Sequence, residues 1–242
     1  MKKTKNSASR RDFLRKSLVV VPALTLGGMA LGSMSNATAQ AETSTPKTGT
    51  SAYTPTFFTK EEFAFLGAAV SRLIPSDDLG PGALEAGVPE FIDKQMETPY
   101  GVGANWYMQG PFHPEASPLF GYQLPLKPRE LYRLGIADTN AFAKKQYGKV
   151  FSELPPAKQD EVLKLMESGE AKFNKVPSKT FFASLLQNTR EGFFCDPVHG
   201  GNKGMVGWKL IGFPGARADF MDWVERNEKY PFPPVSINGE RG

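Results

Sequence analysis

The stretch SKTFFASLLQNTREGFFCDPVHGGNKGMVGWKLIGFPG, residues 178–215, decides how the rest of the chain is interpreted. Ser178 is a residue type that favours helix starts, and apolar residues follow it at helical spacing, so the stretch opens with a predicted helix. From Asn188 onward glycines recur at short intervals. Glycine adopts backbone angles closed to other residues, so this density predicts a loop with one specific path rather than a slack connection.

Helical spacing recurs upstream of this stretch. Thr59 and Glu62 fit a capping box, which predicts a helix that ends at Pro75. Strand-like alternation is almost absent, and residues 98–127 place aromatics, prolines and glycines at irregular spacing, which is typical of a long structured loop. The sequence therefore predicts an all-α fold, an irregular helical domain with long structured loops. Further helices are predicted at residues 89–96, at residues 128–147, and between a cap at Ser152 and a stop at Gly169.

The N-terminus has the pattern of an export signal. Ser-Arg-Arg-Asp-Phe-Leu-Arg at residues 9–15 precedes an apolar run at residues 18–31 and then small residues. This order matches the address that the twin-arginine translocase reads. The residues predicted to carry the signal are Arg10, Arg11, Phe13 and Leu14.

A membrane anchor is the alternative for this segment. The apolar run is shorter than the ~20 residues that a spanning helix needs, and Pro22 and Gly27 interrupt it. Cleavage is therefore favoured, with Ala37-Thr38-Ala39 as the first small-x-small site and Ala39-Gln40-Ala41 as the second. The predicted location of the mature protein is the periplasm.

These features divide the chain into three predicted parts. Residues 1–40 are a cleaved signal peptide, and residues 41–56, rich in Thr, Ser, Pro and Gly, are a flexible linker. Residues 57–242 form one helical domain, which is long enough to bury a core.

Charge argues against a nucleic-acid partner. The whole chain has a formal net charge of +4, but the signal alone contributes +6, so the mature part carries about −2. No basic run with interleaved aromatics remains in the mature part.

The sequence offers few residues for chemistry. Cys195 is the single cysteine, which excludes an internal disulfide and any thiolate cluster from this chain alone, and we expect it to be buried or to contact a partner. His113 has no carboxylate at ligand spacing, and no dinucleotide fingerprint or haem motif is present. We therefore predict no catalytic, cofactor-binding or metal-binding residue in this chain.

Two alternatives stay open from the residues alone. His199 could act as a general base oriented by Asp196, although the same residues suit an ordinary turn, and the structural interpretation is favoured. The aromatic residues at 106–122 could stack on a sugar ring in a self-standing binding protein, but covering the core or docking a partner is favoured.

Several strings in the glycine-rich stretch resemble one family, the small subunit (subunit 3) of gluconate 2-dehydrogenase. Upstream, Phe-Phe-Thr-x-x-Glu at residues 57–62 and Ile-Pro at residues 74–75 extend the resemblance over most of the mature chain. At His199 the family usually has an aromatic residue, most often Tyr. The strings are Gly192-Phe193, Asp196-Pro197, Gly200-Gly201-Asn202 and Gly-Trp-Lys-x-Ile-Gly-Phe-Pro-Gly at residues 207–215.

The resemblance implies an accessory, noncatalytic subunit of a dehydrogenase for sugars or sugar acids. In such complexes a large subunit of the glucose-methanol-choline type holds FAD, and a cytochrome c subunit with haem often takes the electrons. The small subunit has no cofactor of its own, assists folding in a chaperone-like way and supplies the export signal, and it meets the membrane only through the complex.

We expect the loop from Gly192 to Gly215 to pack against the large subunit or to shape the surface that does so, because aromatic residues are typical interface anchors. A competing expectation is that Trp208 belongs to the core of this domain. The residues predicted for the interface are Phe193, Phe194, Cys195, Asp196, Trp208 and Phe213.

We predict that replacing Arg10 and Arg11 together by Lys abolishes export. Lysine keeps the positive charge, so a loss would show that the arginine pair itself is recognised. Cell fractionation measures the mature protein in the periplasm, and unchanged periplasmic amounts would contradict the signal assignment.

Overall fold

The computed structural model describes residues 53–242. The predicted signal residues Arg10, Arg11, Phe13 and Leu14 lie outside the described residues, as does the predicted linker up to residue 52. Within the described part the only β-contacts are isolated bridges, such as Gly215 with Val235, and no strand forms. The all-α prediction is confirmed. The α-helices are α1 (Lys60–Leu73), α2 (Val88–Met96), α3 (Pro128–Tyr147), α4 (Pro156–Ser168), α5 (Ser178–Phe194) and α6 (Val206–Ile211).

Local signals place several helix ends where the sequence predicted them. At the start of α1, Glu62 donates its backbone N–H to the Thr59 side chain, and the Glu62 carboxylate accepts the Thr59 N–H, which completes the capping box. Gly148 ends α3 and Gly169 ends α4, both in the left-handed conformation that glycine adopts most easily.

The start of α4 differs from the prediction. Ser152 does not cap this helix; it lies in a short 3-10 turn, Phe151–Glu153, and the residue at the N-cap is Pro155. A residue that precedes proline is disfavoured in the helical region, so with prolines at 155 and 156 the helix cannot begin before Pro156.

Helix α5 extends slightly further than the sequence predicted. It continues to Phe194, so Gly192 and Phe193, which the sequence placed at the start of the loop, are helical. The helix needs a glycine at position 192, because a Cβ there would lie 2.7 Å from Cδ1 of Phe91 on α2. The glycine therefore marks a close helix contact, not a break.

Helix α5 is the centre of the domain. It contacts each of the other five α-helices, and its residues Phe181 and Leu185 are fully buried. On α3, a Cβ added to Gly135 would lie 2.3 Å from the Phe181 ring, so only glycine permits this approach. Edge-to-face packing of Tyr132 on Phe181, with centroids 5.6 Å apart, fills the space beside it.

A buried carboxylate on α2 holds the N-terminal segment of the domain. Asp93 accepts hydrogen bonds from the backbone N–H groups of Thr56, Phe57 and Phe58, at 2.8, 3.2 and 2.8 Å. The hydroxyl of Tyr53 also donates to it, at 2.7 Å. Residues 53–56, within the predicted flexible linker, are therefore bound to the domain, and the packed region begins before residue 57.

We predict that Asp93→Asn lowers the free energy of unfolding by about 3 kcal/mol, because an amide nitrogen would face N–H donors that now bind a carboxylate. Urea denaturation measures the loss. Asp78→Asn is the matched control, since Asp78 is exposed.

The same carboxylate predicts a pH dependence. Burial raises the pKa of Asp93, but the hydrogen bonds from Phe58, Thr56 and Tyr53 outweigh it and hold the pKa below the ordinary value of 3.8. The stabilisation is thus present above pH 3.8 and lost as the pH falls through the lower, folded-state pKa. Asp93→Asn removes this part of the acid sensitivity, and an unchanged pH profile would contradict the assignment.

Candidate protein interface

The glycine-rich stretch folds back over the C-terminal end of α5. After Cys195 the chain makes two 3-10 turns, Pro197–His199 and Lys203–Met205, and then forms the short helix α6. A Cβ on Gly201 would lie 2.2 Å from the carbonyl oxygen of Gly192, and one on Gly207 would lie 2.1 Å from that of Phe193. These glycines let two segments of backbone pack directly on the last turn of α5.

Asn202 fixes this arrangement from inside. It is fully buried and adopts a left-handed conformation with φ 45°. Its side chain donates to the carbonyl of Cys195 at 2.8 Å and accepts the N–H of Gly207 at 2.8 Å. One amide thus satisfies two buried backbone groups and joins the end of α5 to the start of α6.

Two of the predicted interface residues belong to the core of this domain. Phe193 and Trp208 are only 2% and 5% exposed, and the Trp208 indole donates to the carbonyl of Phe194 at 2.7 Å. Trp208 is therefore buried within this domain, as the competing expectation states, and a contact of Phe193 or Trp208 with a partner stays a prediction. Consecutive helical residues point in directions about 100° apart, which is why Phe193 is buried while Phe194 is exposed.

The surface around α6 is largely apolar, with Lys209 as the exposed charged residue of this helix. Phe194 and Phe213 are exposed, and each contacts α6: the Phe194 ring lies against Gly207, and the Phe213 ring packs on Trp208 with centroids 5.1 Å apart. Leu210 and Ile211 on α6 are also exposed. Neither residue was among those predicted for the interface. We call Phe194, Leu210, Ile211 and Phe213 the α6 surface.

Asp196 and Cys195 make structural contacts. The Asp196 carboxylate accepts the N–H of Val198 at 3.0 Å and that of Ile237 at 2.8 Å, which ties the C-terminal segment to this loop. The Cys195 thiol is half-buried and donates to the carbonyl of Gly192 at 3.4 Å. Burial raises the pKa of this thiol to about 11, so it is protonated at neutral pH.

The catalytic alternative for His199 finds no support in the geometry. Both Asp196 oxygens bind backbone N–H groups, so the carboxylate does not orient the imidazole. His199 is exposed and shares a shallow depression with Cys195, whose thiol is protonated. The cluster lacks an oriented base beside an activated nucleophile.

The other histidine, His113, is not part of a metal-ligand group in the described residues. His113 is exposed and lies 3.1 Å from Glu115. Among residues 53–242 no group of three or more His, Cys, Asp or Glu side chains is arranged to hold a metal ion. No helix in the same residues is long and apolar enough to cross a membrane.

Lys203 connects the loop to α2. Its backbone N–H donates to the carbonyl of Ala86 at 3.0 Å, and its ammonium group pairs with Glu90, which also pairs with Lys94 at 2.7 Å. Burial raises the pKa of Glu90, but the two lysines outweigh it and lower the pKa overall. The glycine-rich stretch is thus held on both α5 and α2.

We predict that Asn202→Ala costs about 3 kcal/mol of folding free energy, because it leaves a carbonyl and an N–H unpaired and adds left-handed strain. Asn227→Ala is the matched control, since Asn227 also has a positive φ of 50° but is exposed. Denaturant unfolding of both variants separates the lost hydrogen bonds from the strain. Equal destabilisation would show that the Asn202 bonds contribute nothing.

Comparison with known proteins agrees with the motifs in this loop. The family model described as gluconate 2-dehydrogenase subunit 3 matches residues 60–215, from the start of α1 to the end of the glycine-rich stretch. Comparisons with curated proteins and with solved structures gave no significant match. The family match covers more than half of the 242-residue chain, and the chain therefore belongs to the gluconate 2-dehydrogenase subunit 3 family.

Proposed function

We propose that this chain is the accessory, noncatalytic subunit of a periplasmic FAD-dependent dehydrogenase for sugars or sugar acids. Its partner is a large flavoprotein subunit of the glucose-methanol-choline type, and a cytochrome c subunit with haem receives the electrons. Membership of the subunit 3 family supports a place in a dehydrogenase complex. The identity of the partner, its FAD cofactor and the export route are proposals that go beyond this family membership.

The α6 surface is the observation that carries this proposal. Its four apolar side chains are exposed, yet the backbone beneath them is fixed by the Asn202 amide and by the glycine contacts with α5. A rigid base lowers the entropy lost on association, because the exposed side chains are already positioned. Such a surface suits a stable protein partner better than a reaction.

The proposal includes a role in folding and export. In the proposal, the predicted twin-arginine signal of this chain directs the export of a flavoprotein subunit that lacks a signal of its own. The α6 surface binds that subunit before export, so the two chains cross together. Apolar area on this chain covers apolar area on the partner, which is the usual basis of assistance in folding.

We predict that Ile211→Glu breaks the complex while the isolated chain stays folded. A charge buried at the centre of an apolar contact costs on the order of 2 kcal/mol or more, which weakens binding about thirtyfold. Val224→Glu is the matched control, because Val224 is 61% exposed against 60% for Ile211 but lies outside the matched family region.

Co-expression with the flavoprotein subunit tests the prediction. The measurements are co-purification, dehydrogenase activity in the periplasm, and the absorption spectra of the complex and of this chain alone. We expect flavin absorbance only with the partner present. A stoichiometric flavin or haem chromophore in the isolated chain, or full assembly of Ile211→Glu, would overturn the proposal.

A further inference from the structure

The long loop between α2 and α3 forms an aromatic pocket. The pocket has a volume of about 460 Å³, within the usual size range of small-molecule sites. Two glutamines and one proline complete its lining. The aromatic residues that line it are Trp106, Tyr107, Phe112, Phe120 and Tyr122.

The floor of this pocket is held in place by contacts behind it. The Trp106 ring packs between Tyr122 and Tyr100, with centroids 4.8 and 5.8 Å away. The Tyr122 hydroxyl donates to the carbonyl of Leu126 at 2.7 Å, and the Tyr100 hydroxyl donates to the Asn188 side chain on α5 at 3.0 Å. The site is therefore preformed, as expected for a ligand pocket.

The rim carries aromatic area that the fold does not use. Tyr107 and Phe120 are 79% and 76% exposed, although both rings line the pocket. Rings left in water contribute little to folding and remain available to cover a ligand.

The chemistry of the lining limits the ligand. No Asp, Glu, Lys, Arg or His lines the pocket, so nothing there compensates the charge of an anion or a cation. Gln109 and Gln123 supply amide donors and acceptors, and Gln123 is fixed by its bond to the carbonyl of Phe120 at 3.1 Å. The site suits a neutral ligand that has both an apolar face and hydrogen-bonding groups at its edge.

We propose that this aromatic pocket binds a neutral carbohydrate ring of the pyranose type. One face of such a ring presents C–H groups, which pack on the electron-rich face of an aromatic side chain, while its hydroxyls meet the amides. A fatty chain would lack partners for the amides, and a nucleotide would need a cation for its phosphate. The inference rests on this pocket alone and does not require the α6 surface to bind a partner.

Titration of the purified protein with three probes tests the proposal. The probes are methyl α-D-glucopyranoside, which is a neutral ring, sorbitol, which is neutral without a ring, and sodium D-gluconate, which is an open-chain anion. Saturation-transfer NMR and tryptophan fluorescence report binding. We expect saturable binding of the pyranoside, with transfer to its ring C–H protons, and far weaker binding of the other two.

Variants of the exposed rim locate the site without disturbing the core. Tyr107→Ala and Phe120→Ala are expected to lower pyranoside affinity by roughly tenfold each. Phe232→Ala is the matched control, because Phe232 is also an exposed phenylalanine but lies outside the pocket. Circular dichroism confirms that each variant is folded.

Three results would overturn the proposal: no saturable pyranoside binding, sorbitol binding of equal strength, or rim variants that bind as the parent does. A fourth result would assign the pocket to a protein partner instead. In that case Tyr107→Ala and Phe120→Ala would reduce co-purification with the flavoprotein subunit while no sugar binds.

Discussion

The direct backbone contact between the last turn of α5 and the glycine-rich loop is the constraint on which the rest of this structure depends. Gly201 and Gly207 bring the loop so close to the carbonyls of Gly192 and Phe193 that a single added methyl group would collide with them. Because the contact is made by backbone, it leaves no room for side chains to adjust. This close approach takes backbone carbonyl and N–H groups away from water, so they need hydrogen-bond partners within the protein. The Asn202 side chain is the partner of two such groups, the Cys195 carbonyl and the Gly207 N–H.

The sequence predicted the fold class and most helix limits because those depend on local signals. The capping box of Thr59 and Glu62, and the glycines at 148 and 169, act within one turn of the helices they end. Tertiary packing decides the features that were missed. The glycines after Asn188 resemble a helix stop, but Gly192 is helical, and it is a glycine because Phe91 of another helix occupies the space that a Cβ would need. A contact between two helices that are far apart in sequence leaves no pattern in the residues next to Gly192.

The glycine-rich stretch could be singled out from the sequence, but the exposure of its individual residues could not. Glycine density and the family motifs marked the segment, yet the buried or exposed state of neighbours such as Phe193 and Phe194 depends on how α5 is rotated against the other helices. Trp208 was ambiguous for the same reason, since a tryptophan serves equally well as a core residue or an interface anchor. Ile211 is part of the family string at residues 207–215 and Leu210 is its variable position, but the string does not show which residues are exposed. Only the placement of α6 shows that both side chains are.

The α6 surface and the aromatic pocket are separate, but both are built on α5. The C-terminal end of α5 leads into the loop that positions α6. Asn188, earlier on the same helix, accepts hydrogen bonds from the hydroxyls of Tyr100 and Tyr132, at 3.0 and 2.8 Å. Tyr100 in turn supports Trp106 in the pocket floor. A substitution that shifts the buried face of α5 would therefore disturb the support of both surfaces and make two different defects look alike. Exposed side chains such as Ile211 and Phe120 give the cleaner separation, because each belongs to one surface and neither contributes to the shared core.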